Sequence, residues 1–159
     1  MDRDALMDKQ PSASPIKADS LALSNAIESG DLTAVEALIQ QYPMLVNHPD
    51  WTPPPLHCAV LWNQPRVAEL LLNHGADIEL KDPDRQTTPL RYAIMYGKTE
   101  LIPLLLSQGA NTQACVDGGS TAIQLALEAA SGAFEEFEDL PRRDEYQPVV
   151  EVLRELGVK

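Results

Sequence analysis

The chain has 159 residues, 44% of them hydrophobic and 23% charged, which is enough for one domain with a packed core and too few for two full ones. With 24 Asp and Glu against 12 Lys and Arg the net charge is −12, so the molecule offers no broad field for phosphate backbones or anionic lipid, and neither nucleic acid nor a membrane is an expected partner. Cys58 and Cys115 form no Cys-x-x-Cys pair and cannot build a disulfide framework, the N-terminus has no apolar signal core, and no stretch reaches the roughly 18 apolar residues of a membrane span; a cytoplasmic protein is expected.

Residues 1–19 include Pro11, Pro15, Ser12, Ser14 and three aspartates before residue 10. Too little apolar surface is present to offset the entropy of ordering, and a flexible lead-in is expected. From residue 20 onward the chain repeats itself. A first unit, about 20–50, opens with Leu23-Ser-Asn-Ala26-Ile27 and continues with Val35-Glu-Ala-Leu38-Ile39, which Tyr42-Pro43 stops. The second unit, 51–84, opens with Pro55-Leu56-His57-Cys58-Ala59-Val60, in which Leu56 lies 33 residues after Leu23, and its second run is Val67 to Leu72. The third, 85–117, opens 34 residues later with Pro89-Leu90-Arg91-Tyr92-Ala93-Ile94 and continues with Leu101 to Leu106. The fourth, 118–159, opens with Ala122-Ile123-Gln124-Leu125-Ala126-Leu127 and closes with Val149 to Leu153.

Within each opening block apolar residues fall at i, i+3 and i+4, the stripe of a short helix, and the second runs are the more hydrophobic. Gly75, Gly109 and Gly157 stand just past three of the second runs, where a left-handed residue ends a helix. Pro55, Pro65 and Pro89 fall at helix starts, where the missing N–H is no loss. Pro103 lies in a first turn, where at most about one backbone bond is forfeited and a slight distortion is expected. The fourth unit departs from the period: Gly109 to Gly157 spans 48 residues, so an insertion at about 131–145 separates its two helices. The insertion holds both phenylalanines, Phe134 and Phe137, and six acids against Arg142 and Arg143, a local charge of −4.

The segments Thr52-Pro-Pro-Pro-Leu56-His57-Cys58-Ala59 and Thr88-Pro89-Leu90-Arg91-Tyr92-Ala93, each followed by Leu-Leu-x-x-Gly-Ala and then Asp77 or Asn111, resemble the ankyrin repeat family over roughly residues 20–159. The terminal units depart from the pattern, as capping repeats do. The resemblance implies an all-α solenoid of about four helix-turn-helix repeats with short loop or hairpin tips. By analogy with the Thr-Pro-Leu-His motif, His57 serves the turn and Cys58 is a packed residue. Gly118-Gly119 reads as a loop tip, and Asp77, Asp82 and Asn111 read as turn formers.

No enzyme constellation accompanies this pattern. His57 and Cys58 point about 100° apart on a helix, and no carboxylate at helical spacing orients the imidazole. His48, His57 and His74 with the two cysteines lack zinc-ligand spacing, so neither a metal nor another cofactor is expected. With Leu56 at zero, Leu61 falls at about 140° and Trp62 at about 240° around the helix, off the core stripe. Met95 and Tyr96 take the same two places one repeat later. The resemblance places the first helices and loop tips on a concave, partner-binding side. The candidate protein-binding residues there are Trp51, Leu61, Trp62, Arg85, Met95, Tyr96, Asp117 and Glu128, with Phe134 and Phe137 of the insertion as a second candidate. The expected function is a non-catalytic protein-binding module, monomeric on its own. One rival is a dedicated inhibitor or regulatory subunit of an enzyme, acting through the acidic insertion. A more distant one is a Cys58-His57 hydrolase.

Overall fold

The computed structural model describes residues 14–48, 51–114 and 119–158. The described residues contain eight α-helices and no strand: α1 (Ser14–Ser29), α2 (Leu32–Gln41), α3 (Pro55–Leu61), α4 (Pro65–Asn73), α5 (Pro89–Met95), α6 (Leu101–Ser107), α7 (Ala122–Ala130) and α8 (Gln147–Glu155). Two 3₁₀ turns, Pro43–Asn47 and Arg143–Tyr146, complete the set. Helix α1 begins at Ser14, inside the stretch expected to be a lead-in; residues 1–13 lie outside the described residues.

Consecutive helices pair as α1–α2, α3–α4, α5–α6 and α7–α8, and the pairs stack in chain order. The first helices α1, α3, α5 and α7 form one layer, and the second helices form the other. Contacts between successive helices are more extensive within the first layer than within the second. An inner first helix therefore meets three neighbours: the first helix before it, the first helix after it and its own partner. For this reason residues 55–60 of α3 and 89–94 of α5 are buried without a break, rather than along a single stripe. The proline placements follow the backbone inventory. Pro55, Pro65 and Pro89 occupy the first turns of α3, α4 and α5. Pro103, the third residue of α6, sits where no intrahelical partner is due, and the helix runs through it to Ser107.

Side chains staple one repeat to the next. Asn47 donates to the Gly75 carbonyl at 2.7 Å and accepts from the Asp77 amide at 2.8 Å, and the Glu79 carboxylate accepts from the Asn111 amide at 2.7 Å. On the side of the helix-pair turns, Gln64 donates to the Glu28 carbonyl at 3.1 Å. The turn between α3 and α4 places Asn63 at φ +52, and the equivalent turn between α5 and α6 uses Gly97 at φ +64. Both need the left-handed region, which asparagine tolerates better than most side chains.

The insertion is a chain of turns running from Ser131 to the second 3₁₀ turn, and it folds back on the stack. Tyr146, at its end, is fully buried, and its hydroxyl donates to the Met95 carbonyl at the end of α5 at 2.6 Å. A Cβ added at Gly97 would lie 3.3 Å from Pro141 Cγ, so the insertion packs directly on that turn.

Candidate protein-binding surface

Trp62 and Tyr96 end equivalent helices: each is the C-cap residue, of α3 and α5 respectively. Trp62 is 47% exposed. Tyr96 is half-buried, its ring tilted against Tyr92 at 4.8 Å between centroids. Arg85, from the exposed loop between α4 and α5, donates from Nη1 to the Tyr96 hydroxyl at 2.8 Å, with its guanidinium 5.9 Å from the ring centroid. That pair fixes a cation and an aromatic ring beside one another, with cation–π attraction added to the hydrogen bond.

The other residues picked out from the sequence divide. Leu61, Met95 and Trp51 are half-buried and pack against the core, so their apolar bodies serve the stack as well as the surface. Glu128 is exposed and accepts from the Ser120 hydroxyl. Asp117 lies outside the described residues, as do Cys115 and Gly118. Phe134 is half-buried against Tyr146, at 6.1 Å between ring centroids, while Phe137 is 58% exposed. Tyr146 itself was not among the expected residues. Its signal was present, since Tyr146, Val149, Val150 and Leu153 fall at i, i+3, i+4 and i+7.

Beneath this surface sits a polar cluster that the loop tips share. His57 is buried, and its Nε2–H donates to the Thr87 carbonyl at 2.8 Å. The proton is assigned to Nε2 because a carbonyl only accepts. Nδ1 has no partner among the described residues, and Pro54 stands where the Thr-Pro-Leu-His motif places its threonine hydroxyl. Burial lowers the His57 pKa below 6.5, against the opposing pull of the Thr87 bond and the Asp82 charge. The neighbouring Cys58 thiol is pushed up to about 12, first by burial and then by Asp82, and it donates to the Pro53 carbonyl at 3.2 Å. This is the opposite of an activated thiolate. Asp77, Asp82 and Asn111 each accept from the amide two residues on, at 2.9, 2.8 and 2.9 Å, as turn formers do. No group of three His, Cys, Asp or Glu among the described residues is placed to hold a metal ion, and no described helix is long and apolar enough to cross a membrane.

Residues 5–82 match a family model described as ankyrin repeats (3 copies), and residues 85–117 match a model of the ankyrin repeat, so the matches cover more than half of the chain. The chain belongs to the ankyrin repeat family. The first match reaches into the segment read as a lead-in, and the second stops ahead of the α7–α8 pair with its insertion. None of the curated proteins compared with the chain matches it. Ankyrin repeats are in general protein–protein interaction modules and are typically non-catalytic.

Proposed function

We propose that this ankyrin repeat protein is a non-catalytic binding module that holds a partner protein against the first-helix layer. The partner's contacts centre on Trp62 and on the Tyr96–Arg85 pair. The observation that carries the reading is the exposure of Trp62 at 47%, one repeat away from an aromatic ring that an arginine holds in place. Trp, Tyr and Arg are the residue types that dominate interface energetics, and a fixed ring loses little entropy on binding. Leu61 and Met95 supply apolar area between these anchors, while Glu128 and the loop residue Trp51 form the rim.

Affinity capture from the source cell, with the wild-type chain and Trp62→Ala as parallel baits, tests the reading. A partner retained by the first and lost by the second is expected, with Kd raised by at least about tenfold and the melting temperature nearly unchanged. A verified partner that binds both chains equally would move the site elsewhere. The complex is expected to leave the surfaces of α4, α6 and α8 accessible to solvent, which hydrogen exchange reads directly.

A further inference from the structure

The first three helix pairs turn over within a few residues, at Gly30, Asn63 and Gly97. The α7–α8 pair is instead joined by sixteen residues, 131–146, and that segment is built rather than loose. Tyr146 anchors its end in the core, Pro141 rests on the Gly97 turn, and Phe134 stands edge-on to Tyr146. Phe134 in turn meets the Phe137 ring edge-on at 6.3 Å. The result is a braced shelf that holds Phe137 58% exposed at an open hollow of about 740 Å³, which Phe134, Phe137, Leu140 and Pro141 line together with charged side chains. Exposing most of a phenylalanine forgoes burial that the ring could otherwise contribute to the core. The hollow is within the size range of ligand sites.

Around these apolar residues the charge is net negative: three acids and two arginines, Arg142 and Arg143, line the hollow, and three more acids flank it. Glu135, Glu138 and Asp144 line the hollow, and Glu136, Asp139 and Glu145 are exposed beside it. Of the two arginines there, Arg143 is already turned to Glu135 at 3.9 Å. The whole chain carries −12, so an anionic segment is repelled at every approach while a cationic one is drawn in.

We propose that this hollow docks a cationic amphipathic segment of another protein: an apolar side chain seats against Phe137, Phe134 and Leu140, and flanking Lys or Arg meet Glu135, Glu138 and Asp144. The proposal stands apart from the reading of Trp62 and Tyr96, since the hollow lies on the insertion. Fluorescence anisotropy with a labelled peptide, Lys-Lys-Leu-Phe-Lys-Lys-Leu-Leu-Lys, tests it on the full chain. Two further peptides serve as comparisons, one with Glu for every Lys and one with Gly or Ser for every Leu and Phe. Saturable binding of the first peptide alone is expected. Phe137→Ser, at an exposed position, should weaken it about tenfold. Joint neutralisation of Glu135, Glu138 and Asp144 should weaken it and flatten its salt dependence between about 50 and 300 mM. Neutralising Glu69, Glu151 and Glu155 on α4 and α8 instead removes the same charge, and should change Kd less than about twofold. Equal binding of the Gly/Ser peptide, equal loss in the α4/α8 variant, or no effect of Phe137→Ser would each overturn the proposal. Loss of the peptide with Trp62→Ala but not with Phe137→Ser would place it on the first-helix layer, overturning the hollow while leaving that reading standing.

Discussion

His57, Arg91 and Gln124 occupy one position in three successive repeats, and each closes its loop by a different bond. His57 reaches the Thr87 carbonyl, Arg91 reaches the Ser120 carbonyl, and Gln124 turns back to accept from the Thr121 amide. The histidine carries a consequence for pH. Its folded-state pKa lies below 6.5, so the unfolded chain binds the proton more readily. This contribution to stability is fully present above about pH 6.5 and is lost as pH falls from there toward the folded pKa, at no more than about 1.4 kcal/mol per pH unit. Urea unfolding at a series of pH values should show that slope, and His57→Gln, which keeps an amide donor for Thr87, should remove it; an unchanged slope would assign it to other groups. The turn-forming role of Asp77, Asp82 and Asn111 could be read from the sequence because each acts on its own backbone. The burial of Tyr96 could not. A helical wheel knows one helix, whereas Tyr96 is covered by Tyr92 on its own helix and gripped by a loop residue 11 positions back in sequence.

At the scale of elements the insertion divides into an anchor and a shelf. Its position between the last two helices was legible from the broken period. The helical spacing of Tyr146 was visible, but its role as an anchor was not, because its partner, the Met95 carbonyl, is 51 residues away. Burial pushes the Tyr146 hydroxyl up to about 12, with the Glu145 charge adding to the effect, so it stays a donor across the physiological range. Replacing 131–140 by a short Gly-Ser linker should cost about 1 to 2 kcal/mol, since exposed turns and one half-buried ring are removed. Tyr146→Phe should cost about 1 kcal/mol by leaving the Met95 carbonyl unpaired, and Tyr146→Ala about 3 to 5 kcal/mol through the cavity left behind. Chemical denaturation of the three variants orders them, and a linker replacement costlier than Tyr146→Ala would reverse the assignment of anchor and shelf.

Across the whole molecule, stability lives at the interfaces between repeats. Each pair is too small to bury its own apolar face, and residues 55–60 and 89–94 are buried only because a first helix lies on either side. That the pairs must stack followed from the period, because a short pair cannot bury its apolar stripe alone, but the unbroken burial of 55–60 and 89–94 did not, since the sequence shows a single stripe. Where the stack ends was less legible, since the terminal units abandon the motif while still packing as helix pairs. The α7–α8 pair covers α5 and α6, whose Leu90, Ile94, Leu101, Ile102 and Leu105 are all but inaccessible to solvent. Ending the chain at residue 115 uncovers the flanks of both helices and strips Met95 of its tyrosine. The truncated chain should lose far-UV helical signal beyond the share of the deleted residues and should aggregate at micromolar concentration, as its newly bared face finds copies of itself. Light scattering and a denaturant melt read the two effects. A soluble truncated chain that unfolds in one cooperative step with undiminished helicity would show that the first three pairs form a complete unit and that the fourth is an appendage.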